Sequence, residues 1–349
     1  VRPRLGSMDE FQSLVASIHS YGMKVIIDWV GAQTAIDCLW RTPHSDFYFP
    51  LPSDPDEAEA AALSDVAMLN YENTSLHEEM LKALKFWVDV ADVDGFRCVD
   101  SELVPLAFWS RMREELLQVK PGLLFIADAE NPKFHEKAFD ATYCKGLTAL
   151  MDRLAAGELP PNAVNEFITH DNNRFVSDAY RISYTTTRNR TPGQKRVFER
   201  LGPAEKTLAV LAFTLDGMPL ICGGQESGDT TLFNPFDKQS IQWGTYENQE
   251  FYTKLIEAKK VNKALWNGMD GGIFRSIKTS EPENVLAFSR TSGQNSVIVV
   301  LNLSGQGRKI RFQEAVTGEH KSIFNKQTLS VFTESDISLG PWGYQVFSR

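Results

Sequence analysis

The chain has 349 residues, 42% of them hydrophobic and 23% charged, with a formal net charge of -9. That acidity excludes nucleic acid or an anionic membrane surface as the main partner, and no apolar run approaches the roughly 20 residues that span a bilayer. The length accommodates a barrel of about 250 residues plus a small second domain, and Cys38, Cys98, Cys144 and Cys222, with no C-x-x-C spacing, read as buried free thiols.

Met8 to Ser20 carries Phe11, Leu14, Val15 and Ile18 at helical spacing, which predicts an amphipathic helix ended by Tyr21-Gly22. Lys24 to Val30 follows as a buried strand with Asp28 near its C-terminal end, and helix, glycine, apolar strand is a unit of a parallel sheet. Asp37 to Pro55 is irregular and rich in aromatics and proline; its Trp40 and Tyr48 either pack the loop or offer flat apolar faces to a ligand. Leu76, Met80, Leu84, Trp87 and Val88 mark the next helix, which feeds the strand Val93-Asp94-Gly95-Phe96-Arg97. Leu106 to Val119 is helical, and Gly122 to Asp128 is another buried strand ending in an acid, with Glu130 two residues on. A helix from Pro132, a short strand Phe139 to Tyr143 and a helix through Leu150 and Leu154 come next, then a polar, weakly patterned stretch from Pro160 to Ser177. The strand Tyr180 to Thr185, the helix Ala204 to Leu215, the strand Met218 to Cys222 and the helix Glu250 to Val261 close the series. From about Gly271 the pattern changes. Val285 to Arg290, Ser296 to Leu303, Lys309 to Phe312 and Tyr344 to Phe347 are strands separated by turns, with no helix between them.

Alternating strands and helices with acids at strand ends make a (β/α) barrel with six strands counted over 1–270, which the family resemblance that follows implies to be an incomplete (β/α)8-type TIM barrel, followed by a C-terminal antiparallel β-sandwich over 271–349. The segments Asp94-Gly95-Phe96-Arg97, Phe198-Glu199-Arg200-Leu201-Gly202, Gly217-Met218-Pro219-Leu220-Ile221, Gly224-Gln225-Glu226 and Ala264-Leu265-Trp266-Asn267-Gly268 stand in an order and spacing that resemble the α-amylase family, glycoside hydrolase family thirteen. The likeness is to its maltodextrin-degrading branch and runs over essentially the whole chain. It implies two barrel strands ahead of Val1, and hence a homo-oligomer, a second chain or a further segment covering an open sheet edge.

The resemblance also implies a site, and this sequence departs from it at nearly every chemical position. The family's strand G-F-R-x-D carries a nucleophilic aspartate; here Arg97 is kept, the nucleophile's place is Val99, and a carboxylate follows one residue late at Asp100. Residues 97 and 99 share one face of a strand and residue 100 the other, so Asp100 turns away from the lumen unless a bulge corrects it. Arg97 loses its usual partner, and Asp28 is the acid placed to take it. In D-x-V-x-N-H the family's calcium-binding Asn is Ala32 and its sugar-binding His is Gln33, so no cofactor is expected and the family calcium site is expected to be lost. The general acid's place is Asp128, one methylene short, with Glu130 as a stand-in. For the last motif, Asp178 to Tyr184 sets the His at Arg188 and the stabilising Asp at Asn189; His170-Asp171-Asn172-Asn173 is the rival register, or a solvated loop pair. Trp40 and Tyr48 become candidates for stacking on sugar rings.

The leading expectation is therefore a barrel that has lost standard retaining hydrolysis and serves binding, assembly or regulation. Two others stay open: a maltodextrin hydrolase using relocated carboxylates, and a glucan-binding module that does not hydrolyse. An α-glucan or maltodextrin is the expected small partner. The opening at Val1, without a signal segment, fits a periplasmic, extracellular or cytoplasmic protein alike.

Overall fold

The structure is a computed structural model, and it describes residues 5–50, 65–187, 200–229, 240–314, 317–325, 327–331 and 336–349. The chain forms two compact units, Val1–Tyr143 and Cys144–Arg349. The division therefore falls inside the barrel portion of the sequence rather than at its junction with the β domain.

The first unit opens on α1 (Met8–Ser20). Ser7 caps it, accepting from Glu10 N at 3.2 Å while Glu10 Oε2 accepts from Ser7 N at 2.7 Å, a closed capping box. Four parallel strands follow in chain and spatial order: β1 (Ile26–Val30), β4 (Gly95–Val99), β5 (Leu124–Ala127) and β6 (Ala141–Tyr143). Between β1 and β4 lie two three-residue strands, β2 (Gln33–Ala35) and β3 (Val66–Met68), paired antiparallel, and the helix α2 (Thr74–Ala91). The helix α3 (Leu106–Val119) joins β4 to β5, and the single turn α4 (Phe134–Lys137) joins β5 to β6.

Strand alternation sorts this unit's chemistry. Phe96, Cys98, Phe125 and Ala127 are wholly buried among Leu76, Leu81, Leu84, Phe108, Trp109 and Leu116 of α2 and α3. Arg97, Val99, Ile126 and Asp128 point to the opposite, partly open side. At Gly95 the strands approach so closely that a Cβ would collide with the Leu124 carbonyl, which leaves glycine as the residue that fits.

The second unit contributes two further parallel strands, β7 (Tyr180–Ser183) and β8 (Met218–Pro219), paired to each other, which makes six strands of barrel type among the described residues. Its helices are α5 (Lys145–Ala155), α6 (Ala163–Arg174), α7 (Glu205–Thr214) and α8 (Gln249–Val261). The stretch Pro160 to Ser177, read from the sequence as weakly patterned, is mostly α6. It shows little periodicity because only Ala163 and Val164 of the helix are buried.

The β domain is a six-stranded antiparallel sheet in the order β14 (Thr328–Val331), β13 (Thr317–Ser322), β16 (Tyr344–Ser348), β11 (Asn295–Asn302), β10 (Val285–Ser292), β9 (Ile273–Ser276). A two-stranded ladder of β12 (Arg308–Ile310) and β15 (Ile337–Leu339) faces it. Val285, Ala287, Ile298, Val300 and Phe347 meet Ile310, Ile337 and Leu339 in the space between, which makes the sandwich. The alternate residues Leu286, Phe288, Val297, Val299 and Leu301 pack against α7 and α8. Arg290, 1% exposed, ties this junction by donating to the carbonyls of Trp266 at 2.7 Å, Gly272 at 3.1 Å and Thr214 at 3.5 Å.

Candidate active site

The C-terminal ends of β1, β4, β5 and β6 bring four polar side chains to one side of the first unit. Asp28 and Arg97 are direct partners in the β1–β4 register, and Arg97 Nε lies 3.1 Å from Asp28 Oδ1. That N–H is not aimed at the carboxylate as a hydrogen bond, so the pair is held by charge rather than by direction. The Arg97 guanidinium sits over the Tyr143 ring, 5.7 Å from its centroid, and Nη1 donates to Tyr143 Oη at 3.1 Å. Burial raises the Tyr143 phenol above the usual tyrosine range; Arg97 opposes this, while Asp128 and Asp28 add to it. Asp28, Arg97, Asp128 and Tyr143 thus share one electrostatic neighbourhood.

Asp128 follows the last residue of β5, and its backbone N–H donates to the Cys98 carbonyl at 3.0 Å. Asp128 and Glu130 are both partly exposed and alternate with the buried Ala127 and Ala129, so they share a face. Val99 stands on the Arg97 face of β4, and pairing with β1 runs unbroken from Gly95 to Val99. No bulge therefore realigns Asp100. It leaves the strand in the left-handed region, φ 47° and ψ 40°, exposed to solvent, and starts the turn Ser101–Leu103. Trp109 anchors that turn by donating from Nε1 to the Ser101 carbonyl at 2.9 Å.

The other sequence candidates fall elsewhere. Ala32 is buried, and its carbonyl accepts from Leu69 N at 2.9 Å. A calcium ion, which the family resemblance implies, finds no side-chain oxygen at that position and a carbonyl already engaged, so the residues do not fit the ion. Gln33 is in β2, opposite Met68. Tyr48 is 8% exposed and shares a hydrogen bond of 3.0 Å with Thr34 Oγ1, so its ring faces protein rather than a ligand. Trp40 is half-buried, edge-on to Phe47 at 5.9 Å. His170 and Asp171 lie within α6, not in a loop, and Asp171 pairs with Arg181 Nε at 3.2 Å. Arg188 and Asn189 lie outside the described residues.

Two features were not singled out from the sequence. One is Tyr143, whose only sequence signal is its place at a strand end. The other is a cleft of about 500 Å³ beside the strand ends, lined by Glu102, Leu103, Pro105, Asn131, Lys133 and Phe134. A second, smaller hollow shares Leu103 and Pro105 and extends past Phe49, Asn70 and Glu72. Phe49 and Leu103 are 55% and 62% exposed. Apolar side chains in this lining alternate with the amides of Asn70 and Asn131, the carboxylates of Glu72 and Glu102 and the Lys133 ammonium.

These features make a partial barrel of six parallel strands with helices, acids standing at its strand ends, followed by an antiparallel β domain. Residues 1–115 match the family described as alpha amylase, catalytic domain, and residues 274–346 match the one described as maltogenic amylase, C-terminal domain. The cyclomaltodextrinase of Thermoanaerobacter pseudethanolicus is 23% identical over 94% of this chain and 60% of its own length. The maltogenic α-amylase of Bacillus acidopullulyticus shows the same identity and the same coverage. The solved structure of a noncanonic maltogenic α-amylase from Thermotoga neapolitana superposes with a TM-score of 0.84 at 23% identity, over 98% of this chain and 81% of that one. The chain resembles the α-amylase family, on its maltodextrin-degrading branch, in both matched segments and in the relatives that cover most of its length. It spans about 60% of the length of these curated relatives.

Proposed function

We propose that this protein hydrolyses maltodextrins by a single displacement, without the covalent step of a retaining enzyme. The matched relatives are named as cyclomaltodextrinases and maltogenic amylases, which supports an α-glucan as substrate and hydrolysis as reaction. The observation that carries the mechanism is Val99 on the Arg97 face of β4, with Asp28 and Asp128 kept on the strands to either side. A valine cannot form a glycosyl ester, so the second displacement has no first one to follow. Two strand spacings of about 4.8 Å separate β1 from β5. Asp28 is level with Ile126, and Asp128 stands two residues farther along, so the two acids are set well apart, as a mechanism with a water between acid and base requires. In this scheme Asp128 gives its proton to the glycosidic oxygen as the C1–O bond breaks. Water attacks C1 from the opposite face and loses its proton to Asp28, whose charge Arg97 steadies. The shorter Asp128 side chain and the missing nucleophile place the rate orders of magnitude below that of an intact family site.

Reducing-sugar release from maltoheptaose, compared between the protein and its Asp128→Ala variant at high enzyme over days, tests the reading. Release that the variant abolishes supports it. Equal release sinks it. A second reading, glucan binding without hydrolysis, is favoured by the same Val99 and by Asp100 leaving the strand. It predicts maltoheptaose binding with no turnover in either protein.

A further inference from the structure

The stretch between β8 and α8 carries two large rings in the open: Trp243 is 45% and Tyr246 43% exposed, and every residue from Gln242 to Glu247 is exposed. The rings are near-parallel, 21° apart, with centroids separated by 6.1 Å. With planes at a van der Waals spacing of about 3.5 Å, their centres are offset laterally by about 5 Å. The rings therefore overlap little and stand as two adjoining steps. Adjoining exposed rings bordered by polar residues are the arrangement by which a surface patch binds a ligand.

The steps are held rather than loose. Ser227 Oγ donates to the Gln242 carbonyl at 2.9 Å, Asn248 N to the Glu226 carbonyl at 3.1 Å, and Asn248 Nδ2 to the Gln225 carbonyl at 3.2 Å. Gln249 N closes on the Tyr246 carbonyl at 3.0 Å, and Gln225 is itself fixed by Thr185 and the Tyr252 hydroxyl. Tyr246 keeps a left-handed backbone, φ 55°, which a bulky residue adopts only when its surroundings hold it there. A fixed platform loses little freedom on binding. Its borders are Gln242 and Glu247: the amide donates to and accepts from hydroxyl groups, and the carboxylate accepts from them and repels anions.

We infer that Trp243 and Tyr246 form an α-glucan-holding platform on the second unit, on which the apolar faces of successive sugar residues lie while their hydroxyls meet Gln242 and Glu247. The ligand class rests on the maltodextrin reading above; the platform itself rests on the ring geometry. It would hold long chains, whereas a short oligosaccharide bound at the strand ends has no need of it.

Affinity electrophoresis in amylopectin, with dextran as the control polymer, tests the platform, and maltotriose turnover is measured beside it. Trp243→Ala removes one step. Tyr246→Gly removes the other at a backbone angle that glycine adopts freely, so this variant keeps its fold. The platform predicts that each variant loses about tenfold in amylopectin affinity, that maltotriose turnover is unchanged in both, and that Asp128→Ala binds amylopectin like the parent. Amylopectin retardation equal in parent and both variants overturns the platform and leaves the hydrolase reading standing. A parent that turns over maltotriose but is not retarded overturns it as well. A parent with retardation lost in the variants but no turnover supports the platform and sinks hydrolysis alone; neither retardation nor turnover sinks both.

Discussion

Asp94 shows how closely the floor of the first unit depends on one charge, and Asp94→Asn is the substitution that exposes it. The residue precedes β4 with its side chain 6% exposed. Its carboxylate accepts from Val25 N at 2.9 Å and from His19 Nε2 at 2.6 Å, and Lys24 Nζ and Lys120 Nζ stand at 3.1 and 3.2 Å. Lys120 and His19 also face Asp92, at 2.6 and 3.6 Å. One anion thereby joins α1, the entry to β1 and the end of α3. Burial alone would raise the Asp94 pKa, but the Val25 N–H, His19, Lys24 and Lys120 together hold it well below the usual 3.8. Asparagine keeps the shape and can still accept from Val25, but it sets an amide against two ammonium groups. Lys24 is largely exposed and adds little. Losing the charge-assisted bonds to His19 and Lys120, at about 1.5–3 kcal/mol each, is expected to cost about 3 kcal/mol in all. Because the folded pKa is depressed, this stability is whole above the unfolded value of about 3.9 and is lost as pH falls toward the folded value. Urea unfolding of parent and variant at about pH 7, 5 and 3 measures it. The gap should be constant from about pH 7 to 5 and shrink by about pH 3. A gap below about 1 kcal/mol at neutral pH, or one that does not narrow in acid, refutes the reasoning.

Three further outcomes follow from the same geometry. Arg290→Met strips the buried Thr214 carbonyl and the part-buried carbonyls of Trp266 and Gly272 of their donor, and at about 1–3 kcal/mol for a fully orphaned group it should lower stability by at least about 2 kcal/mol in urea. Burial, helped by the nearby Arg290, lowers the Lys259 ammonium to about 7, with Asp216 opposing; a neutral amine still has the two N–H groups that Leu265 O and Asn267 Oδ1 accept. The unfolded lysine holds its proton to about pH 10, so stability should rise with pH from about 7 to 10. Lys259→Met should flatten that slope in matched unfolding curves. Val99→Asp returns a carboxylate to the Arg97 face and should raise maltoheptaose turnover at least tenfold, measured by reducing-sugar release.

The period of two in a strand made the main features of the site legible. It assigns Arg97 and Val99 to one face and Phe96 and Cys98 to the core, and the structure has that arrangement. The same rule does not describe Asp100, because alternation ends where the backbone turns left-handed, and nothing in Val-Asp-Ser-Glu announces that turn. Tyr48 looked available for stacking, but its hydroxyl meets Thr34 on a ladder of two three-residue strands too short to show periodicity. The same shortness hides β9 and β15, whereas the strand expected over Lys309 to Phe312 overlaps β12. Helix α6 was obscured by its polar sequence, whereas α7, buried all round, reads clearly as apolar. The Trp243–Tyr246 pair lies in a segment without pattern, where aromatic spacing alone does not distinguish packing from display.

The stereochemistry of the first product tests the central claim most directly. Maltoheptaose is mixed with concentrated protein, and the anomeric protons of the fresh product are followed by NMR before mutarotation. Single displacement across Asp128 and Asp28 predicts the β-anomer first, and the α-anomer first from Val99→Asp. An α-anomer from the unsubstituted protein would mean that another carboxylate forms the covalent intermediate, and no product at all would mean that the site only binds.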